Sequence, residues 1–276
     1  MLQTPTVVYC AVDSLIQSRG RIQPGFDDFT AALEQRNIPI VWVSNRTRLQ
    51  MDEPRRKLGH NHPFIAEGGC GVYLPEGYFN LRPTKTVRMG RFTTIPIGEP
   101  QPAAAEALES ISSDTSVSAV SMSSLSPREL VQNSGLPAKE AELVRHRDFD
   151  ELFFFAGASN EDIDRFVSEA EKRKLQLRQR GGLWSLAVGA DLKRGVRELS
   201  KLYDRSLRSH PISFGISTSE DDDHAVLFGA CDRALQLSKG AEGAAESPSN
   251  ARKIREISLA EPDSWEEVLA AITARN

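Results

Sequence analysis

The stretch from Pro5 to Gln17 constrains the chain most. Val7, Val8, Tyr9 and Cys10 form an unbroken apolar run that stops at Ala-Val-Asp-Ser. An apolar run without polar alternation reads as a strand covered on both faces, as in a parallel sheet. Ligands of open α/β sheets bind beyond the carboxyl ends of such strands, which makes Asp13 a candidate functional residue. A second run, Ile38 to Val43, is also apolar throughout and ends in Ser44-Asn45-Arg46-Thr47. Between the two, Phe26, Phe29 and Leu33 recur at helical spacing over Asp27 to Arg36. The unit is βαβ, with its second strand parallel to the first. A hydroxyl at the end of the second strand, on Ser44, can donate a hydrogen bond to a phosphoryl oxygen.

Further along, Phe64-Ile65-Ala66 reads as a short strand, Gly68 to Gly71 as a tight turn, and Val72-Tyr73-Leu74 leads into a Pro-Glu-Gly hairpin turn. Thr86 to Ile97 alternates in strand fashion, Ala103 to Ile111 is helical by composition, and serine-rich Ser112 to Ser126 reads as a loop. Helices are expected after Ser126-Pro127 and Pro137, a strand over Glu151-Leu-Phe-Phe-Phe-Ala, and a helix over Glu161 to Arg173. Leu175 to Arg180 and Leu183 to Val188 pair as strands across Gly181-Gly182. The core resumes with the helix start at Gly189 to Leu199 and a strand over Pro211 to Ile216, followed by the acidic run at 220–223. Strands and helices set between two halves of an α/β core describe an inserted α+β cap. The expected domains are a core from 1–82 and 188–276, and a cap from 83–187. Arg178 and Arg180, on a cap strand, are candidates for holding an anionic substrate.

The strand ending in Asp13 resembles the first motif of the haloacid dehalogenase (HAD) superfamily, Asp-x-Asp-Gly-Thr. SNRTR, then PFIAEGGCGVYLPEGYF, REL, GLPAKEAELVRHRDFDELF, RQRGG and a closing SWEEVL resemble mannosyl-3-phosphoglycerate phosphatases across nearly the whole chain. The resemblance implies a HAD-like Rossmannoid core with a parallel sheet and an inserted cap. It implies that Asp13 is the general acid/base and a Mg2+ ligand, and that Ser44 is the phosphate-binding hydroxyl of the second motif. Asn45, Arg46, Glu67, Arg180 and Arg194 become candidate substrate-binding residues. It also exposes losses: Ala11 stands where the family has its nucleophilic aspartate, Arg46 replaces a lysine and Gly68 an asparagine.

Two registers stay open. Leu192 falls on the third-motif lysine without gaps, and a one-residue adjustment would bring Lys193 there, beside Arg194; a helix N-terminus favours an anion in either case. In the fourth motif, alignment on the strand gives Thr218 and Asp222 the metal-binding roles, whereas alignment on the helix gives them to Glu220 and His224. The run Glu220, Asp221, Asp222 at the end of a core strand also suits a hard cation on its own chemistry.

Net charge of −4 and a pI near 5.8 argue against binding driven by attraction to nucleic-acid phosphates. No apolar stretch approaches the ~20 residues of a membrane span, and the first residues carry neither a basic segment nor an apolar signal core, so the expectation is a cytoplasmic protein. Cys10, Cys70 and Cys231, with no CxxC spacing, predict ordinary thiols rather than a disulfide framework or zinc site. Aspartyl phosphatase chemistry needs an attacking carboxylate, an acid for the leaving oxygen, a cation and magnesium. With Ala11 in the nucleophile position, one reading is a catalytically degenerate relative that binds a phosphorylated sugar acid, or a protein, and holds Mg2+ weakly or not at all. The other is a working metal-dependent phosphatase in which Asp13 or the 220–223 acids activate water.

Overall fold

A computed structural model describes residues 5–16, 21–81, 83–180, 182–221, 223–238, 254–261 and 263–274, the side chain of Arg180 excepted. Among the described residues, its larger sheet has nine strands. Six run parallel: β1 (Thr6–Ala11), β2 (Ile40–Val43), β3 (Phe64–Ala66), β11 (Ile212–Thr218), β12 (Arg233–Ser238) and β13 (Ile254–Ser258). An antiparallel edge of β4 (Gly71–Pro75), β5 (Val87–Met89) and β6 (Phe92–Pro96) completes the order β13-β12-β11-β1-β2-β3-β4-β6-β5.

The unbroken apolar character of β1 follows from cover on both faces. Val8 and Cys10 join Trp42 and Phe64 in a core closed by α1 (Phe26–Gln35) and α9 (Ser264–Thr273). Val7, Tyr9 and Ala11 join Val41, Val43 and Ile65 under α7 (Leu192–Leu207) and α8 (His224–Ala230). Successive side chains of a strand point to opposite faces, so a strand between two helical layers has no polar position to spare. Gly25, at φ +79°, opens α1 where a Cβ would stand 2.6 Å from Cδ1 of Trp265. That indole donates to the Pro24 carbonyl at 2.8 Å and clamps the two helices together.

A second, four-stranded antiparallel sheet has the order β7 (Ala119–Ser121), β8 (Glu151–Phe155), β10 (Leu183–Ala187), β9 (Gln176–Arg180). Its apolar face packs on α3 (Gln101–Thr115) and α6 (Asn160–Lys172), while α4 (Pro127–Ser134) and α5 (Ala138–Arg145) close a smaller cluster around Met122 and Leu152. The segment 83–187, read from sequence as one cap, divides between the two sheets. The hairpin β5–β6, turning at Gly90 (φ +58°), pairs with β4 and extends the larger sheet. Helix α3 runs to Thr115, because Ser112 and Ser113, assigned to a loop by composition, continue it before the left-handed Ser116. All three cysteines are buried and reduced. Among the described residues no helix is long and apolar enough to cross a membrane.

Candidate active-site crevice

The carboxyl ends of β1 and β2 meet because the strands are paired in register, Ala11 opposite Val43. The residues that follow each strand therefore converge. Ser44, 2% exposed, donates to Asp13 Oδ1 at 2.5 Å, and the Asn45 amide donates to Asp13 Oδ2 at 2.8 Å. The Arg46 amide donates back to Ser44 Oγ at 3.0 Å, and its guanidinium lies 3.8 Å from Asp13 Oδ1 while donating to the Ile16 carbonyl. Thr47 then caps α2 (Arg48–Lys57) in a reciprocal box with Gln50. Four of the residues singled out from sequence, Asp13, Ser44, Asn45 and Arg46, thus form one connected polar group.

The opposite wall is of another kind. Ala11 and Leu192, 8% and 2% exposed, belong to the same apolar cluster as Val43, Ile65 and Leu227. Leu192 is the first residue of α7 and packs so closely on the Gly69 turn that a Cβ on Gly69 would lie 2.6 Å from its Cα. Lys193 is exposed, with Nζ beside Gly229 of α8. Arg194 takes its place at the helix cap, its amide donating to Asp191 Oδ1 and its guanidinium to the Ile97 carbonyl. Neither is part of the polar group around Asp13.

Asp221 is buried and already saturated. Its Oδ1 accepts from the Ser14 amide, and its Oδ2 accepts from the hydroxyls of Ser14, Ser217 and Thr218 and from the Thr218 amide, at 3.0 to 3.2 Å. The carboxylate ties the end of β11 to the loop after β1. Glu220 is exposed, His224 turns Nδ1 to the Asp221 carbonyl at 2.8 Å, and Asp222 lies outside the described residues. The resemblance implies magnesium here, yet among the described residues no three His, Cys, Asp or Glu side chains gather to hold a metal. Ala11 supplies no carboxylate at this place, and both oxygens of Asp221 accept hydrogen bonds from the protein.

Glu67 is fully buried, in the left-handed region at φ 51°. It accepts from the amides of Asp148, Phe149 and Asp150 at 2.8 to 3.2 Å, pinning the chain that enters β8 to the larger sheet. Beside it Arg147 grips Asp150 with two N–H groups and the Asn45 carbonyl with Nη2. Two buried carboxyls share that one guanidinium. Burial, followed by the charge of Asp150, pushes Glu67 up to about 8. Arg178 of β9 crosses from the second sheet, donating to the Gly68 carbonyl at 2.9 Å and pairing with Asp223 at 3.4 Å. It fills the space a side chain at 68 would need: a Cβ there would meet its Cζ at 2.7 Å. The side chain of Arg180, the other cap arginine, lies outside the described residues. Arg147 escaped sequence reading, although Arg-x-x-Asp directly before an apolar strand is the signal that would have found it.

A crevice at the carboxyl ends of a doubly covered parallel sheet, beneath a second sheet, is the architecture of the HAD-superfamily phosphatases. The fold matches a phosphatase of the haloalkanoate (HAD) superfamily from Bacteroides thetaiotaomicron with a TM-score of 0.64 and 13% identity, over 98% of this chain and 95% of that one. In sequence the chain is 28% identical over 203 residues to a glucosyl-3-phosphoglycerate/mannosyl-3-phosphoglycerate phosphatase from Persephonella marina, covering 71% of this chain and 73% of that protein. It is 23% identical over 171 residues to one from Methanococcoides burtonii, 62% of each, so it spans less than two thirds of that relative. No protein-family model matches the sequence. The chain is thus similar in sequence to mannosyl-3-phosphoglycerate phosphatases and shares the fold of HAD-type phosphatases.

Proposed function

We propose that the protein binds a phosphorylated sugar acid of the mannosyl-3-phosphoglycerate type in the crevice and does not turn it over through a phospho-enzyme. The observation that carries this reading is that Ala11 and Leu192 both lie in one buried apolar cluster. A methyl group cannot attack phosphorus, and loss of a covalent nucleophile costs on the order of 10⁴ to 10⁶ in turnover. Replacing the nucleophile and, in the ungapped register, the cation with apolar side chains of that cluster removes the reacting pair without leaving a buried charge. The polar wall keeps groups suited to an oxyanion: the Ser44 hydroxyl, the Arg46 guanidinium and, from the second sheet, Arg178. On this reading residues 1–82 and 188–276, extended by the β5–β6 hairpin, form the ligand-binding core, and the rest of 83–187 the cap that selects the sugar. The protein acts in the cytoplasm on a small anionic ligand, not on nucleic acid or membrane.

Calorimetric titration with mannosyl- and glucosyl-3-phosphoglycerate, paired with an assay of phosphate release in saturating magnesium, tests the proposal. Binding without release is the expected result, weakened about tenfold by Arg46→Ala, the loss of one charge-assisted contact. Metal-dependent release by the unmodified protein that Asp13→Asn abolishes would establish the alternative, a phosphatase that activates water through its remaining acids.

A further inference from the structure

At the other end of the parallel strands, α2 finishes in Arg55, Arg56 and Lys57. Cations in the last turn suit the helix dipole, but the dipole does not account for burying one of them. Arg55 is 3% exposed, and no carboxylate lies within ion-pair distance of it among the described residues. Its Nε donates to His60 Nδ1 at 3.1 Å and its Nη2 to the His62 carbonyl at 2.9 Å, and among the described residues no acceptor is found for Nη1. Its Cζ stands 4.4 Å from the ring centre of Phe64 and 5.2 Å from that of Phe92.

His60 does not balance the charge. Its Nδ1 accepts from Arg55, its Nε2 lies 2.7 Å from the Ile40 carbonyl, and burial together with Arg55 holds its ring well below the ordinary histidine range. Arg91 sits 5.2 Å over the same Phe92 ring; burial first, and then Arg91, lower Arg55 to about 10, offset only in part by the more distant Asp52. Between these groups opens a cavity of ≈ 420 Å³ lined by Arg55, Arg56, His60, Asn61, Glu76 and Arg91. Glu76, an acid in that lining, faces Arg88 at 3.7 Å, and Asp52 pairs with Arg91 at 3.0 Å. A buried guanidinium without a counter-ion is expensive. The fork geometry of arginine matches the oxygens of a phosphate.

We propose that this cavity is a second anion site, separate from the crevice, that takes a phosphate group. Arg55 contributes its unused N–H groups from the floor, and Arg56 and Arg91 close on the remaining oxygens from the rim. The anion supplies the counter-charge that Arg55 lacks, so its occupancy stabilises the fold in proportion to ligand concentration.

The test titrates inorganic phosphate, and in parallel glycerol 3-phosphate, into the full chain by calorimetry and thermal unfolding, against chloride at matched ionic strength. Arg56 and Arg91 are exposed, so Arg56→Ala/Arg91→Ala leaves folding intact. That double variant is expected to weaken the binding of whichever probe binds by about tenfold or more, while Arg46→Ala in the crevice retains it. Arg55→Met, whatever its own stability, is expected to lose the phosphate-dependent rise in Tm. Equal affinity in the double variant, absence of binding by both probes, or a phosphate-dependent Tm shift that survives Arg55→Met would each overturn the site.

Discussion

The two walls of the crevice were assembled from the same kind of material, the ends of core strands and the start of the helix beyond, and they differ in what those ends carry. The wall after β1 and β2 holds Asp13, Ser44, Asn45 and Arg46 in one hydrogen-bonded group. The wall made by Ala11, the start of α7 and the end of β11 is apolar or internally satisfied, with Leu192 buried and Asp221 spending its oxygens on Ser14 and on the end of β11. On the proposed reading, the difference separates binding from reaction in this fold. A hydroxyl and a guanidinium are enough to hold a phosphate, whereas transfer needs a nucleophile, a cation and a metal acting together.

The largest expected effect is on what anchors the polar wall. Arg147→Met leaves Asp150 and Glu67 buried without their shared cation and is expected to cost about 3–5 kcal/mol, read as a fall in Tm together with loosened binding of the sugar acid. On the apolar wall, Ala11→Asp and Leu192→Lys each bury a lone charge and are expected to cost about 2–4 kcal/mol alone. The double variant should recover at least about 1 kcal/mol of the summed loss if the two positions face each other; strict additivity in denaturant unfolding would show that they do not.

A smaller effect follows from Glu67. Its carboxyl titrates near 8 in the folded chain, above the usual glutamate range. Between about 4.5 and 8 the folded state then holds a proton that the unfolded state has released, so stability falls as pH rises through that window, by up to about 1.4 kcal/mol per pH unit. Unfolding measured from pH 5 to 8 should show this slope, flattened in Glu67→Gln. The smallest effect sits at Asp13. If the polar wall only binds, Asp13→Asn removes, from beside Arg46, a negative charge that repels the anionic ligand and tightens sugar-acid binding a few-fold; weaker binding would mean that the carboxylate itself contacts the ligand.

The meeting of Asp13 with Ser44 was legible in the sequence because two apolar runs ending in polar residues, joined by one helix, must pair in parallel. Ala11 was legible as a loss because the resemblance sets it where the family has its nucleophilic aspartate. The role of Glu67 was not, since its partners are backbone amides more than 80 positions away and no side-chain pattern encodes them. Alternation in Thr86 to Ile97 announced strands but not which sheet they join; the ladder to β4 decides that. The acidic run read as a cation site from composition alone, and only the geometry shows Asp221 committed to Ser14 and Thr218.

The most direct measurement is phosphate release from mannosyl-3-phosphoglycerate in saturating magnesium, comparing the unmodified protein, Ala11→Asp, and Ala11→Asp combined with Leu192→Lys and Thr218→Asp. Groups that act as a unit in transition-state stabilisation are strongly non-additive. The result predicted is no metal-dependent release from the unmodified protein or from the single variant, and measurable release only from the triple. Robust turnover by Ala11→Asp alone, or by the unmodified protein with loss in Asp13→Asn, would contradict it.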